Sequence, residues 1–208
     1  MPNANLYVDH INLEAYLTTE EAKAAGAASE ARLAADLKAG SCRVQDLPGF
    51  SPGKRAALDL ALRADAILTP VPSLELPRPV PPALVELNRP GADAPVLVSG
   101  NSEFTLTVLT GLLALTVSPL FLLLVDCRGD TVDMAMIYRS FTPQRLDQSL
   151  EKNGLAAKVT HRRLIIPGIV APLMEELAAY TGWDIQAGPI CCAELPLYLG
   201  DRWQTAGA

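Results

Sequence analysis

The sequence predicts an α/β chain, a parallel sheet covered on both faces by flanking helices and preceded by a helical N-terminal region. Three observations predict it. From Pro95 onward four short apolar runs, "PVLVSG", "LFLLLVD", "RRLIIPG" and "WDIQAGP", alternate with helix-patterned stretches. Their apolar residues are largely consecutive, as in strands covered on both faces. Residues 1–68, by contrast, are alanine-rich and amphipathic at helical spacing.

The elements follow in order. Thr19 can cap "EEAKAAGAASEARLAADLKAG", which stops at Gly40, and Ser51 caps "SPGKRAALDLALRADA" with Pro52 at its first helical position. Two or three helices are expected there. Eight prolines fall between Pro70 and Pro95, too many for regular structure, so residues 69–94 are expected to form an ordered crossing or linker. The main boundary is placed there, between a helical region 1–68 and an α/β domain 95–208. After the strand "PVLVSG", Asn101 or Ser102 caps "EFTLTVLTGLLAL", and "LFLLLVD" is the second strand. "TVDMAMIYRS" is undecided between helix and strand. Thr142 caps "TPQRLDQSLEKNG", with Pro143 first and Asn153-Gly154 as its stop. "RRLIIPG" is the third strand, "VAPLMEELAAYTG" a helix ending at Gly182, "WDIQAGP" the fourth strand and "AELPLYLGDRW" a closing helix or turn.

Composition excludes some functions. The 208 residues carry a formal net charge of -6 and only 5% aromatics, so the basic footprint of a nucleic-acid binder is missing. Cys42, Cys127, Cys191 and Cys192 have no CxxC spacing and read as free thiols in a reducing cytoplasm. Asp9 and Glu14 stand where a signal peptide would be apolar, so a cytoplasmic location is expected. Phe104 to Val125 runs 22 residues without a charge, the length of a membrane span. Its four threonines and its Ser118-Pro119 break favour a helix followed by a buried strand. A membrane anchor through 104–125 is the alternative.

The strand exits are "VSGNS", "VDCRGD", "IPGIVA" and "AGPICCAE". In a doubly wound sheet, ligands bind at these carboxyl ends, where the strand order reverses. Glycine admits close backbone approach and proline fixes the turn. Ile169, Val170 and Ile190 beside the turns suit a flat apolar partner better than a phosphate, for which neither a P-loop nor a GxGxxG turn is present. Ordinary tight loops would also explain them.

From Pro95 to about Leu199 the chain resembles the C-terminal corrinoid-binding domain of the large subunit of the corrinoid iron-sulfur protein of the acetyl-CoA pathway, a family related to the mercury-methylating corrinoid proteins. The matching stretches are "PVLVSGN", "LLLVDCRGDTV", "FTPQRL", "HRRLIIPG", "L..ELAAYTGW" and "GPICCAELPLYL". The resemblance implies a Rossmann-like domain holding a cobalamin-type corrinoid, its cobalt cycling between Co(I) and methyl-Co(III) as a methyl group is carried from one enzyme to another. By position it implies that Gly100 and Asn101, then Met134, Ala135, Met136 and Ile137, line the corrinoid. Gly168, Ile169, Val170 and Ala171, and the run Gly188, Pro189, Ile190, Cys191 and Cys192, would complete the lining. Asp126, Arg128 and Asp133 would bond to corrin amides, though solvated loop charges explain them equally well.

Departures from the family bear on the chemistry. Residues 1–94 are too short for the family's barrel and contain one cysteine, so no iron-sulfur cluster is expected in this chain. Met134 stands where the mercury-methylating relatives place a cobalt-ligating cysteine. It would be a weak thioether ligand, and methionines packed as core are the alternative. His161 sits at the wrong edge for a lower cobalt ligand and is assigned a structural role. The expectation is a methyl carrier whose partners are methyltransferases or other corrinoid-pathway proteins. A paralogue that has lost the cofactor and serves as an interaction module is the second expectation.

Overall fold

The computed structural model describes residues 7–70 and 76–206. Helix α1, Thr19–Ala24, is capped by Thr18 rather than Thr19: the Thr18 hydroxyl accepts the Glu21 amide while the Glu21 carboxylate accepts the Thr18 amide. The single run expected to reach Gly40 is two helices, because Gly26 turns the chain at φ 75° and Ser29 caps a new start at α2, Glu30–Lys38. Helix α3, Pro52–Leu62, begins at the Ser51 cap as expected, and a short α4, Ala64–Ile67, follows.

The proline-rich stretch contains a strand, β1, Leu84–Leu87, where no regular structure was expected. Its four residues include no proline, and β1 pairs only with β3 at the edge of the sheet, so prolines around it interrupt no ladder. Prolines 70, 77, 79, 81, 82, 90 and 95 all fall outside the strand itself.

The remaining elements are β2, Val96–Gly100; α5, Glu103–Leu113; β3, Leu120–Val125; α6, Val132–Ile137; α7, Pro143–Lys152; α8, Leu155–Lys158; β4, Arg163–Ile166; α9, Met174–Thr181; β5, Asp184–Ala187; and α10, Leu195–Leu199. The undecided "TVDMAMIYRS" is helical, its first turn sealed by Val132 and Ala135. Residues 104–125 divide between α5 and the fully buried β3, and no helix among the described residues is long and apolar enough to cross a membrane.

The sheet order is β1-β3-β2-β4-β5, parallel except for the antiparallel β1. This is a Rossmann-like α/β sheet with helices on both faces. On one face Leu97, Leu122, Leu124 and Ile165 share a core with α3, α5, α10 and the N-terminal Ile11 and Leu13. On the other, Val98, Leu123, Leu164 and Ile166 share a core with α6, α7 and α9. Full burial of each such leucine or isoleucine contributes about 1.5–3 kcal/mol before conformational entropy is counted.

The connection from β2 leads to β3 on one side, while the connection from β3 leads across to β4 on the other. The strand order therefore reverses between β2 and β4. A crevice between their carboxyl ends is the binding position that this topology offers.

Candidate functional site

Four strand exits and the helix α6 surround the carboxyl ends of β2 and β4. At the first exit Gly100 is buried, and a Cβ there would lie 3.5 Å from the Cys127 sulfur. The next side chain, Asn101, is 1% exposed and ties three segments together. Its Oδ1 accepts the amides of Cys127 at 2.7 Å and Gly129 at 3.2 Å, and its Nδ2 donates to the Val80 carbonyl at 2.8 Å. Residues 78–80 thereby cross the exit of β2, held also by the Val80 amide on Asn101 O and the Glu103 amide on Arg78 O. Asn101 thus anchors backbone, and three of its four hydrogen-bonding positions are occupied by the chain itself.

The two Pro/Gly turns meet each other. The Gly168 amide donates to the Pro189 carbonyl at 2.9 Å, and the Gly188 amide donates to the Ile166 carbonyl at 2.8 Å. A Cβ on Gly168 would lie 2.6 Å from the Gly188 carbonyl oxygen and 2.8 Å from the Ile190 nitrogen. The glycine is required for turn-against-turn packing. A 3-10 turn, Gly168–Leu173, then leads into α9 and packs against α6.

The residues expected by position divide into two groups. Asn101, Ala135, Val170 and Cys191 are sealed, the last three within the two cores. Met134, Met136, Gly168, Ile169, Ala171, Gly188, Pro189 and Cys192 are half-buried, and Ile137 and Ile190 are 68% and 41% exposed. Met136 and Ile169 lean on the core of the α6 face. With Tyr138, which is also exposed, Ile137 and Ile190 give the rim an apolar character on segments that are already in contact with one another.

The cysteine thiols beneath the crevice are neutral. Burial pushes the thiols of Cys127 and Cys192 up to about 12 and that of Cys191 to about 11, so all three are protonated near neutral pH and are poor nucleophiles. Among the described residues no three His, Cys, Asp or Glu side chains converge as a metal site. His161 lies outside the crevice at the amino end of β4. Its Nδ1 accepts the Arg163 amide, so its Nε2 donates to the Ala94 carbonyl at 3.0 Å, the structural role expected for it.

Four residues at the site were not anticipated. The hydroxyls of Ser99 and Ser102, buried on either side of Gly100-Asn101, have no hydrogen-bond partner. An orphaned buried hydroxyl costs about 1–3 kcal/mol, and two at a topological switch point are polar capacity left for something else. The polar quartet "SGNS" closing an apolar strand was the signal that could have found them. Tyr7 and Glu194, the other two, approach from the N-terminal segment and from the turn before α10. Burial and the nearby Asp133 carboxylate of α6 push the Tyr7 hydroxyl up to about 12, and the buried Glu194 accepts the Asn12 amide at 3.0 Å, with the Tyr16 hydroxyl beside it. No local pattern marks either residue, because both partners are distant in sequence.

Comparison with known proteins places this arrangement among relatives. A family model described as the CO dehydrogenase/acetyl-CoA synthase delta subunit matches residues 62–199. The gamma subunit of the acetyl-CoA decarbonylase/synthase complex of Methanopyrus kandleri is 32% identical over 123 residues, 59% of this chain and 27% of that protein. Its counterpart in Archaeoglobus fulgidus is 32% identical over 129 residues, covering 61% and 27%. The corrinoid/iron-sulfur protein large subunit of Moorella thermoacetica is 33% identical over 115 residues, covering 55% and 26%. The chain thus spans about a quarter of the length of these relatives. The matches carry the resemblance to subunits of the acetyl-CoA complex and not its extension to mercury-methylating proteins.

Proposed function

Because the chain belongs to the CO dehydrogenase/acetyl-CoA synthase delta subunit family, we propose that it binds a cobalamin-type corrinoid at the carboxyl end of its sheet and serves as a methyl-group carrier. The observation that carries this reading is the convergence of α6 and the two interlocked Pro/Gly turns on the switch point between β2 and β4. The corrinoid, when bound, supplies the cobalt that accepts and releases the methyl group.

The chain's own residues fit such a group. Ile137, Tyr138 and Ile190 offer apolar surface to a broad, flat face, and the locked turns hold that surface rigid. The hydroxyls of Ser99 and Ser102 are free to bond the polar periphery of the ligand. Cys191 and Cys192 are neutral thiols near neutral pH in the unliganded chain, and Met134 in α6 is the candidate weak ligand to cobalt. Partner proteins follow from the role, since a carrier must meet both a methyl donor and an acceptor. Methyltransferases and other proteins of the same pathway are the class proposed, as the gamma-subunit relatives are named for a complex.

The test is anaerobic reconstitution of the purified chain with hydroxocobalamin, followed by desalting and a visible spectrum. Retention near one corrinoid per chain in a base-off form is the expected result. A colourless protein under conditions where a known corrinoid carrier stays red would overturn the reading and leave an interaction module of the same fold.

A further inference from the structure

Helix α6 forms one wall of the crevice, yet it cannot hold its own place. Its six residues make fewer than two turns, too few to persist without support from their surroundings. Thr131 stands at its N-cap without a side-chain bond to the helix, and Arg139, just beyond its end, is left-handed at φ 54°, where a residue with a Cβ is strained. Support comes from the burial of Val132 and Ala135 in the core and from contact with β2 and the 3-10 turn Gly168–Leu173. Apolar burial has no direction, so it does not by itself fix how the helix is rotated or tilted.

One directional contact does. Asp130 and Ser140 stand on either side of α6 in the chain, 7% and 4% exposed, and the Ser140 hydroxyl donates to Asp130 Oδ2 at 2.9 Å. The pair closes residues 130–140 into a ring that contains the whole helix. On its far side the Ser140 amide donates to the Ala135 carbonyl at 2.8 Å, so the residue that meets Asp130 is itself fastened to α6. On its near side the Asp130 amide donates to the Cys127 carbonyl at 3.1 Å, in the loop whose Cys127 and Gly129 amides rest on Asn101. A line of hydrogen bonds thus runs from the exit of β2 to the C-terminal end of α6. Among the described residues the Asp130 side chain has no other hydrogen bond and no ion pair. A carboxylate buried with a single hydroxyl adds little net stability, and what it supplies is direction.

We propose that Asp130 and Ser140 are positioning residues of the crevice, whose hydrogen bond sets the orientation in which α6 presents Met134 and Ile137 to a corrinoid-sized ligand. This rests on the reading of the crevice given above. Neither side chain touches the ligand, and both act through the helix between them. Ile137 and Tyr138, the exposed apolar residues of the rim, lie just before Ser140, so loosening this end displaces the rim first.

The experiment compares the wild-type chain with Ser140→Ala, Asp130→Ala and Asp130→Asn, the last of which keeps an oxygen able to accept the Ser140 hydroxyl. Amide hydrogen exchange is followed residue by residue in the ligand-free chain by NMR, and corrinoid affinity by titration with hydroxocobalamin. In both alanine variants the amides of Tyr138 and Ser140, which bond the Met134 and Ala135 carbonyls, are expected to exchange roughly tenfold faster, the effect of one hydrogen bond to a carboxylate. The amides of Phe121 and Leu124 in β3 should keep wild-type rates. The Kd should rise by a similar factor, and Asp130→Asn should stay close to wild type in both measurements. Unchanged exchange at α6 in both alanine variants overturns the clamp. An equal rise at Phe121 and Leu124 assigns the pair to global stability and overturns it too, as does an Asp130→Asn variant no better than Asp130→Ala. Faster exchange confined to α6 with unchanged affinity overturns the role at the crevice. Faster exchange confined to α6, with corrinoid bound by none of the proteins including wild type, supports the clamp on the helix and overturns the cofactor reading instead.

Discussion

Gly168 and Gly188 face each other across the exits of β4 and β5, each donating its amide to the other turn, so that the two exits form one rigid piece.

Gly168→Ala should therefore be strongly destabilising. The added Cβ would fall 2.6 Å from the Gly188 carbonyl oxygen and within 3 Å of the backbone at Pro189 and Ile190, none of which can rotate aside. A loss of about 2–4 kcal/mol is expected by chemical denaturation. Gly182→Ala, where a Cβ meets nothing within 4 Å but φ is +69°, should cost only about 1 kcal/mol. Equal costs at the two positions would mean that the turns do not interlock.

Asn101→Ala should lower stability by about 2–4 kcal/mol, since three buried hydrogen bonds are lost and the amides of Cys127 and Gly129 are left unpaired. Asn101→Asp should not restore it, because a carboxylate oxygen would then face the Val80 carbonyl. Thermal unfolding of both variants measures this, and a neutral alanine variant would argue against Asn101 as the tie between the loops.

Ser99→Ala and Ser102→Ala should separate stability from binding. Neither hydroxyl has a partner, so its removal is expected to leave stability unchanged or to raise it by up to about 1 kcal/mol. Corrinoid retention after desalting should fall roughly fivefold per hydroxyl if these groups meet the ligand. Loss of stability without loss of retention would assign the serines to the fold alone.

Glu194→Gln should change how stability depends on pH. Burial raises the Glu194 carboxyl above its usual range, outweighing the Asn12 and Cys191 amides, the Lys38 ammonium and the Tyr16 hydroxyl, with Tyr198 packed near Tyr16 on the same side. The folded chain thus holds this proton more tightly than the unfolded chain. Its contribution is fully present below the ordinary carboxyl value of about 4.3 and is lost as pH rises through the raised one. The wild-type minus Gln difference in unfolding free energy should decline across that window. A flat difference would show that Glu194 ionises normally in the fold.

Much of this architecture is legible in the amino-acid order because it rests on local rules. The apolar runs ending at Gly100, Val125, Ile166 and Ala187 are all strands, and the Ser51-Pro52, Thr142-Pro143, Asn153-Gly154 and Gly182 signals fall at helix ends. What escaped was decided at a distance. β1 is a strand because β3 offers it an edge, not because "LVEL" is a strong β-former. Thr18 rather than Thr19 caps α1 because its side chain, not its neighbour's, completes the box with Glu21. At the site, the Pro/Gly turns were legible as turns, but their mutual contact was not, nor was the nearness of Tyr7 to Asp133 across more than half the chain. Asn101 was legible as a residue at the switch point, while its bonding to three backbone groups depends on where residues 80, 127 and 129 come to rest.

The packing of α3 against α10 also has a consequence in time. As the polypeptide leaves the ribosome, residues 52–62 exist long before residues 195–199, which complete their apolar environment. Until then Leu58 and Ala61 lack part of their cover, and the nascent chain carries an unfinished hydrophobic surface over that interval. The contact between these widely separated stretches is accordingly expected to form late in folding.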